Sequence, residues 1–154
     1  QGENMNYQEG FDFIGGKRVP YTYINDDFDL KGKHSGTVIV ESGKFRLVGY
    51  LHGSLTIKGG AVEILGEQHG SVSVASSLVV SITGSVNGSI SIDTDATLII
   101  EPSGKLAGSI SNNGTLIIRG VFGGSKSGNG KIVLEGNGYV KQPTIRNGIN
   151  YYNW

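Results

Sequence analysis

The sequence predicts an all-β, single-domain parallel β-solenoid: a right-handed β-helix of about eight rungs of 17–18 residues with an aromatic C-terminal cap. Three observations predict it. A unit apolar-x-apolar-x-Gly recurs eight times along the chain, with Pro102 in the place of glycine once. A second alternating segment recurs in phase with the first. Glycine is abundant, 26 residues against three prolines, and almost no apolar pattern of helical period interrupts it. Glycine at that density punctuates many turns.

The first unit runs as Phe11-x-Phe13-x-Gly15, Phe28-x-Leu30-x-Gly32, Phe45-x-Leu47-x-Gly49 and Val62-x-Ile64-x-Gly66. It continues as Val80-x-Ile82-x-Gly84, Leu98-x-Ile100-x-Pro102, Leu116-x-Ile118-x-Gly120 and Ile132-x-Leu134-x-Gly136. The steps are 17, 17, 17, 18, 18, 18 and 16 residues. Alternation over three to five positions marks a half-buried strand. The second strand reads Tyr21/Tyr23, Val38/Val40, Leu55/Ile57, Val72/Val74 and Ile90/Ile92, then weakens at Ile110, where Asn112 takes the second apolar place. Hairpins of constant register cannot be built at this spacing. A chain that coils back above itself can, with rungs about 4.8 Å apart.

Just before four of the second strands stands a Gly-Ser pair: "HGS" at 52–54 and 69–71, "NGS" at 87–89, "AGS" at 107–109. The glycine reads as a corner that accepts positive φ, and the serine as the outward start of a strand. A third, shorter segment follows the phase glycine: "YL", "EQ", "SV", "SGKL", "VF". Toward the end, "GGSKSGNG" (123–130) replaces the second strand, so the coil decays there. The organisation expected is a tag remnant at 1–4, a solenoid at 5–140, and a cap or partner-seeking tail at 141–154. Met5 then reads as the native start and the location as cytoplasmic.

Gly-punctuated rungs of 17–18 residues over roughly Lys31 to Phe122, without a hexapeptide beat, resemble the bactofilins, the bacterial polymer-forming cytoskeletal proteins. The resemblance implies a three-sided right-handed β-helix that polymerises through its rod ends without nucleotide. The aromatic flanks and the irregular last rung depart from that family's loose polar tails. The hexapeptide acyltransferases are a poorer match, since their six-residue beat and a placed catalytic histidine are missing.

Composition narrows the function. Thirteen basic and thirteen acidic residues balance, which removes the charge expected of a nucleic-acid or anionic-membrane binder. No cysteine is present, so thiol chemistry and Cys-ligated metal are excluded. No apolar run reaches the roughly 20 residues of a membrane span. His34, His52 and His69 fall in one corner region, with His52 and His69 one rung apart and His34 offset. Zinc wants three or four converging ligands, so a solvated ladder is the reading and no metal or other cofactor is expected. Asp26, Asp27 and Asp29, like Asp93 and Asp95, read as solvated turn residues. The protein is therefore read as no enzyme.

The outward rows are more informative. One reads Asp12, Asp29, Arg46, Glu63, Ser81, Ile99, Ile117 and Val133, passing from charged to apolar. In the next, Arg119 sits between Glu101 and Glu135. The stripe Ile99–Ile117–Val133, flanked by Glu101, Arg119 and Glu135, is the expected partner-binding surface. The second strand's outward rows are hydroxyl-rich, Thr37, Ser54, Ser71, Ser89 and Ser109 beside Thr56, Ser73, Ser91 and Ser111, which leaves an ice- or glycan-binding surface as a minor alternative. Action by protein–protein contact follows: a bactofilin-like self-assembling scaffold, or a capped immunity-type protein that blocks a toxin.

Overall fold

The computed structural model describes residues 10–142 and 144–151. These residues form three parallel sheets of seven strands each, wound as stacked triangular coils, with an antiparallel hairpin at either end of the chain. Among them no helix is long and apolar enough to cross a membrane.

Face A stacks β4 (Phe28–Leu30), β7 (Lys44–Leu47), β10 (Ala61–Ile64), β13 (Val79–Ile82), β16 (Thr97–Ile100), β19 (Thr115–Ile118) and β22 (Lys131–Leu134). Face B stacks β5 (Lys33–Ser35), β8 (Tyr50–His52), β11 (Glu67–His69), β14 (Ser85–Asn87), β17 (Lys105–Ala107), β20 (Val121–Gly123) and β23 (Tyr139–Val140). Face C stacks β3 (Thr22–Ile24), β6 (Val38–Val40), β9 (Leu55–Ile57), β12 (Val72–Val74), β15 (Ile90–Ile92), β18 (Ile110–Asn112) and β21 (Lys126–Ser127). The chain visits C, A, B and then C again one coil higher.

The pleat sends alternate residues inward, and the inward residues align in columns. On face A, Phe45, Val62, Val80, Leu98 and Leu116 lie in register and are buried, as are Leu47, Ile64, Ile82, Ile100 and Ile118 beside them. Face C contributes Val38, Leu55, Val72, Ile90 and Ile110, with Val40, Ile57, Val74 and Ile92. Face B contributes one inward residue per strand: Leu51, Gln68, Val86, Leu106 and Phe122. Neighbouring coils also share backbone hydrogen bonds, so each coil is stabilised by those above and below it.

Three expectations change. The solenoid has seven stacked strands per face, not eight rungs. The repeat match at Phe11 belongs to a hairpin, β1 (Phe11–Ile14) with β2 (Lys17–Pro20), antiparallel about Gly15 and Gly16 at φ 58° and 78°. Both glycines take the left-handed conformation of a two-residue hairpin turn. That hairpin docks at the Gly36–Thr37 corner, where Thr37 N and Oγ1 donate to Asp12 Oδ2 and Oδ1 at 2.7 and 3.0 Å. On face C the first strand is shifted by one residue. Thr22 and Ile24 align with Val38 and Val40, while Tyr23 pairs with Ile39 in the outward row. Ile39 is nevertheless buried, whereas Ser73, Ser91 and Ser111 of that row are exposed.

The corner glycines obey the expected logic and add to it. Gly53, Gly70, Gly88 and Gly108 all have positive φ, and a Cβ on any of them would collide with the carbonyl of the equivalent glycine one coil below. The corner is therefore a glycine column, closed to side chains by its own backbone.

Candidate functional site

Ile99, Ile117 and Val133 meet in register on the outer surface of β16, β19 and β22, each half-buried. They continue the row that begins with Asp29, Arg46, Glu63 and Ser81. In the lower half of that row, Arg46 lies 3.2 Å from Asp29 and 3.5 Å from Glu63. In the upper half the charges move to the adjoining corner. There Arg119 bridges Glu135 at 2.8 Å and Glu101 at 3.1 Å, and Ser81 Oγ donates to Glu101 Oε2 at 2.9 Å. Hydrogen bonds to Glu135 first, then Glu101, hold the Arg119 guanidinium above its ordinary pKa. Exposed pairs of this kind add little stability, but they fix a charged border along the apolar stripe. A shallow groove lined by Pro102, Arg119, Val121, Glu135 and Tyr139 runs beside that border.

The histidines separate into two environments. His52 and His69 are in register on face B and point outward. The Tyr50 ring stacks on His69 at 4.6 Å, and His69 Nε2 lies 3.0 Å from Glu67 Oε1. His34 takes the inward position beneath Leu51, with Nε2 3.4 Å from Thr22 Oγ1. No cluster of three or more potential ligands able to hold a metal occurs among the described residues.

The aspartates serve the turns. Asp26 and Asp93 each accept the backbone N–H of the following residue at 2.8 Å, and Asp27 accepts Lys44 N at 2.9 Å. On the hydroxyl face, Ser71 Oγ donates to Ser54 Oγ, and Ser89 and Ser109 share a hydrogen bond, both at 3.0 Å.

Two features were not legible in the sequence. The first is Gln68, fully buried in the face B column. Its Nε2 donates to Gly53 O at 2.7 Å and its Oε1 has no partner. Asn112, the other buried amide of the core, is satisfied: Nδ2 donates to Lys131 O and Oδ1 accepts Gly114 N, both at 3.0 Å.

The second is the pair of rod ends. At the first coil Phe28 is 45% exposed; at the last, Ile132 and Leu134 are 37% and 56% exposed. β24 (Thr144–Arg146) and β25 (Ile149–Tyr151) pair as an antiparallel hairpin about Asn147 and Gly148, and Ile145 and Ile149 are exposed. Ile132 and Leu134 are thus uncovered among the described residues; Tyr152 and Trp154 lie outside them.

Comparison with protein-family models, with curated proteins and with solved structures finds no match.

Proposed function

We propose that this β-solenoid is a non-catalytic scaffold that self-assembles through its rod ends, as the bactofilin resemblance implies. One observation carries the reading. The same columns that are sealed in the inner coils are open at both ends, at Phe28 and at Ile132 and Leu134. Each end also presents strand edges that have no partner among the described residues: β4 and β5 below, β22 and β23 above. Open parallel edges over an apolar core template further strands.

Light scattering of the full chain across concentration tests it. Average mass should climb with concentration. Leu134→Lys should hold the protein at the mass of one chain, and Ile117→Arg should leave growth intact. A mass fixed at all concentrations overturns end growth.

A second reading has its own support: the apolar stripe Ile99–Ile117–Val133 with its charged border is suited to one discrete partner, such as the toxin of an immunity-type protein. Loss of association in Ile117→Arg, with Leu134→Lys unaffected, favours that reading.

A further inference from the structure

The dipeptide Asn-Gly occurs five times, at 87–88, 113–114, 129–130, 137–138 and 147–148. At such a step the backbone nitrogen of the glycine can attack the asparagine side-chain amide, because no Cβ obstructs the swing of the peptide. Four of the five steps are locked. Gly88 N donates to Ala107 O at 3.0 Å, Gly114 N to Asn112 Oδ1 at 3.0 Å, Gly130 N to Asn112 O at 2.8 Å and Gly138 N to Glu135 O at 3.0 Å. A Cβ on any of these four glycines would strike a carbonyl oxygen of the coil below. The nitrogen that must move is therefore hydrogen-bonded and walled in by backbone.

The fifth step is built differently. Asn147 and Gly148 form the tip of the β24–β25 hairpin, at φ 50° and 77°, and both are exposed. Positive φ at both places is the two-residue turn that Asn-Gly favours. Gly148 N donates to no group among the described residues, and none of their atoms lies within 4 Å of where its Cβ would stand. β24 and β25 form a sheet of their own with no third strand. A lone two-stranded hairpin is marginally stable in water and opens at little cost, unlike a coil held from both sides.

We infer that Asn147 is a site of spontaneous covalent modification, deamidation through a cyclic imide, and that the fold withholds the same reaction from the other four Asn-Gly steps. The inference is independent of end growth. A bond forms between Gly148 N and Asn147 Cγ, and the bond from Cγ to Nδ2 breaks. Nδ2 leaves as ammonia, carrying away the former Gly148 amide proton. Water then opens the imide. Cleavage between the nitrogen and Cγ gives aspartate; cleavage between the nitrogen and the former backbone carbonyl gives isoaspartate. No oxidant or reductant takes part, and either product moves the formal net charge from zero to minus one. The aspartate product keeps the two-residue turn. The isoaspartate product carries one more carbon in the main chain, and hairpin register depends on loop length, so the pairing of Thr144 with Tyr151 is lost. The change is confined to the tail, since no residue of the solenoid faces takes part in it.

Peptide mapping by mass spectrometry, after incubating the full chain in mildly alkaline buffer, tests this. Asn147 should convert from amide to acid at least about tenfold faster than Asn87, Asn113, Asn129 or Asn137, which must first break hydrogen bonds of the coils. Unfolded in guanidinium chloride, the same chain should convert at all five positions at similar rates. Labelling with an isoaspartyl methyltransferase should mark the native chain at position 147. Asn147→Gln, which keeps an amide but cannot close the same five-membered ring, should stay a single species over the same period. Native conversion spread evenly over the five steps, or led by one of the other four, overturns the inference. So does an unmodified Asn147 after a time in which the unfolded chain has converted, or acid accumulating in Asn147→Gln as fast as in wild type.

Discussion

Phe28 and Phe45 occupy one column, one coil apart, with their rings stacked at 6.5 Å and 9°. Phe45 is fully buried, and Phe28 is 45% exposed. The same contrast appears at the other end between Leu116 and Ile132. Residue type, pleat and register are shared, so the difference lies only in whether a coil has neighbours on both sides. A solenoid coil does not bury its own core; the coils above and below bury it. Among the described residues, the end coils are ordinary coils with a neighbouring coil on one side only.

The contrast between inner and terminal coils can be broken most severely from within. Leu98 is fully buried between Val80 and Leu116. Leu98→Asp should unfold the protein, since an unpaired buried charge costs about 5 kcal/mol or more, comparable to a domain's whole stability. Far-ultraviolet circular dichroism showing a folded Leu98→Asp variant would refute the register of face A.

Truncating the two phenylalanines measures the contrast directly. Phe45→Ala should cost about 3–5 kcal/mol. Phe28→Ala, at an open end, should cost about 1 kcal/mol in dilute protein. Urea unfolding of both variants gives the ratio, and equal costs would show that the first coil is covered in solution.

A smaller effect, of opposite sign, is expected at Gln68. In the coils below and above, the equivalent inward positions are Leu51 and Val86, so the corner carbonyls there manage without a side-chain donor. Gln68→Leu removes a buried acceptor that has no partner and should stabilise the protein by about 1 kcal/mol. A lower melting temperature in that variant would mean that the bond from Gln68 Nε2 to Gly53 O outweighs the orphaned oxygen.

The smallest change belongs to the outer surface. Ile117→Arg faces out from β19 and should shift stability by about 0.5 kcal/mol or less. A loss of several kcal/mol would place a covering segment over the stripe, and thermal melting decides the matter.

Most of the fold was legible in the sequence because faces A and C send two residues inward per strand. Pairs such as Val62/Ile64 and Val72/Val74 produce the alternation that reveals a strand, and a step of 17–18 residues reveals the coil. Face B sends one residue inward per strand, and a single apolar residue has no period. That is why the column from His34 through Gln68 to Val140 read only as a short segment, and why His34 was grouped with His52 and His69. The ladders of Arg46 and Arg119 were legible because outward rows follow from the same register.

Strand alternation by itself determined the solenoid, its glycine corners and its buried columns, because neighbouring coils repeat the same local pattern and local pattern is what a sequence records. Tertiary structure alone decided which strands pair with which. Phe11–Ile14 carries the same alternation as every coil, yet it folds back on Lys17–Pro20 across two glycines. Thr144–Arg146 likewise turns back at Asn147–Gly148, and Ile132 and Leu134 of the last coil stay exposed among the described residues. Alternation specifies a pleated surface with one buried side, and it is silent about the direction of the strand that covers its edge.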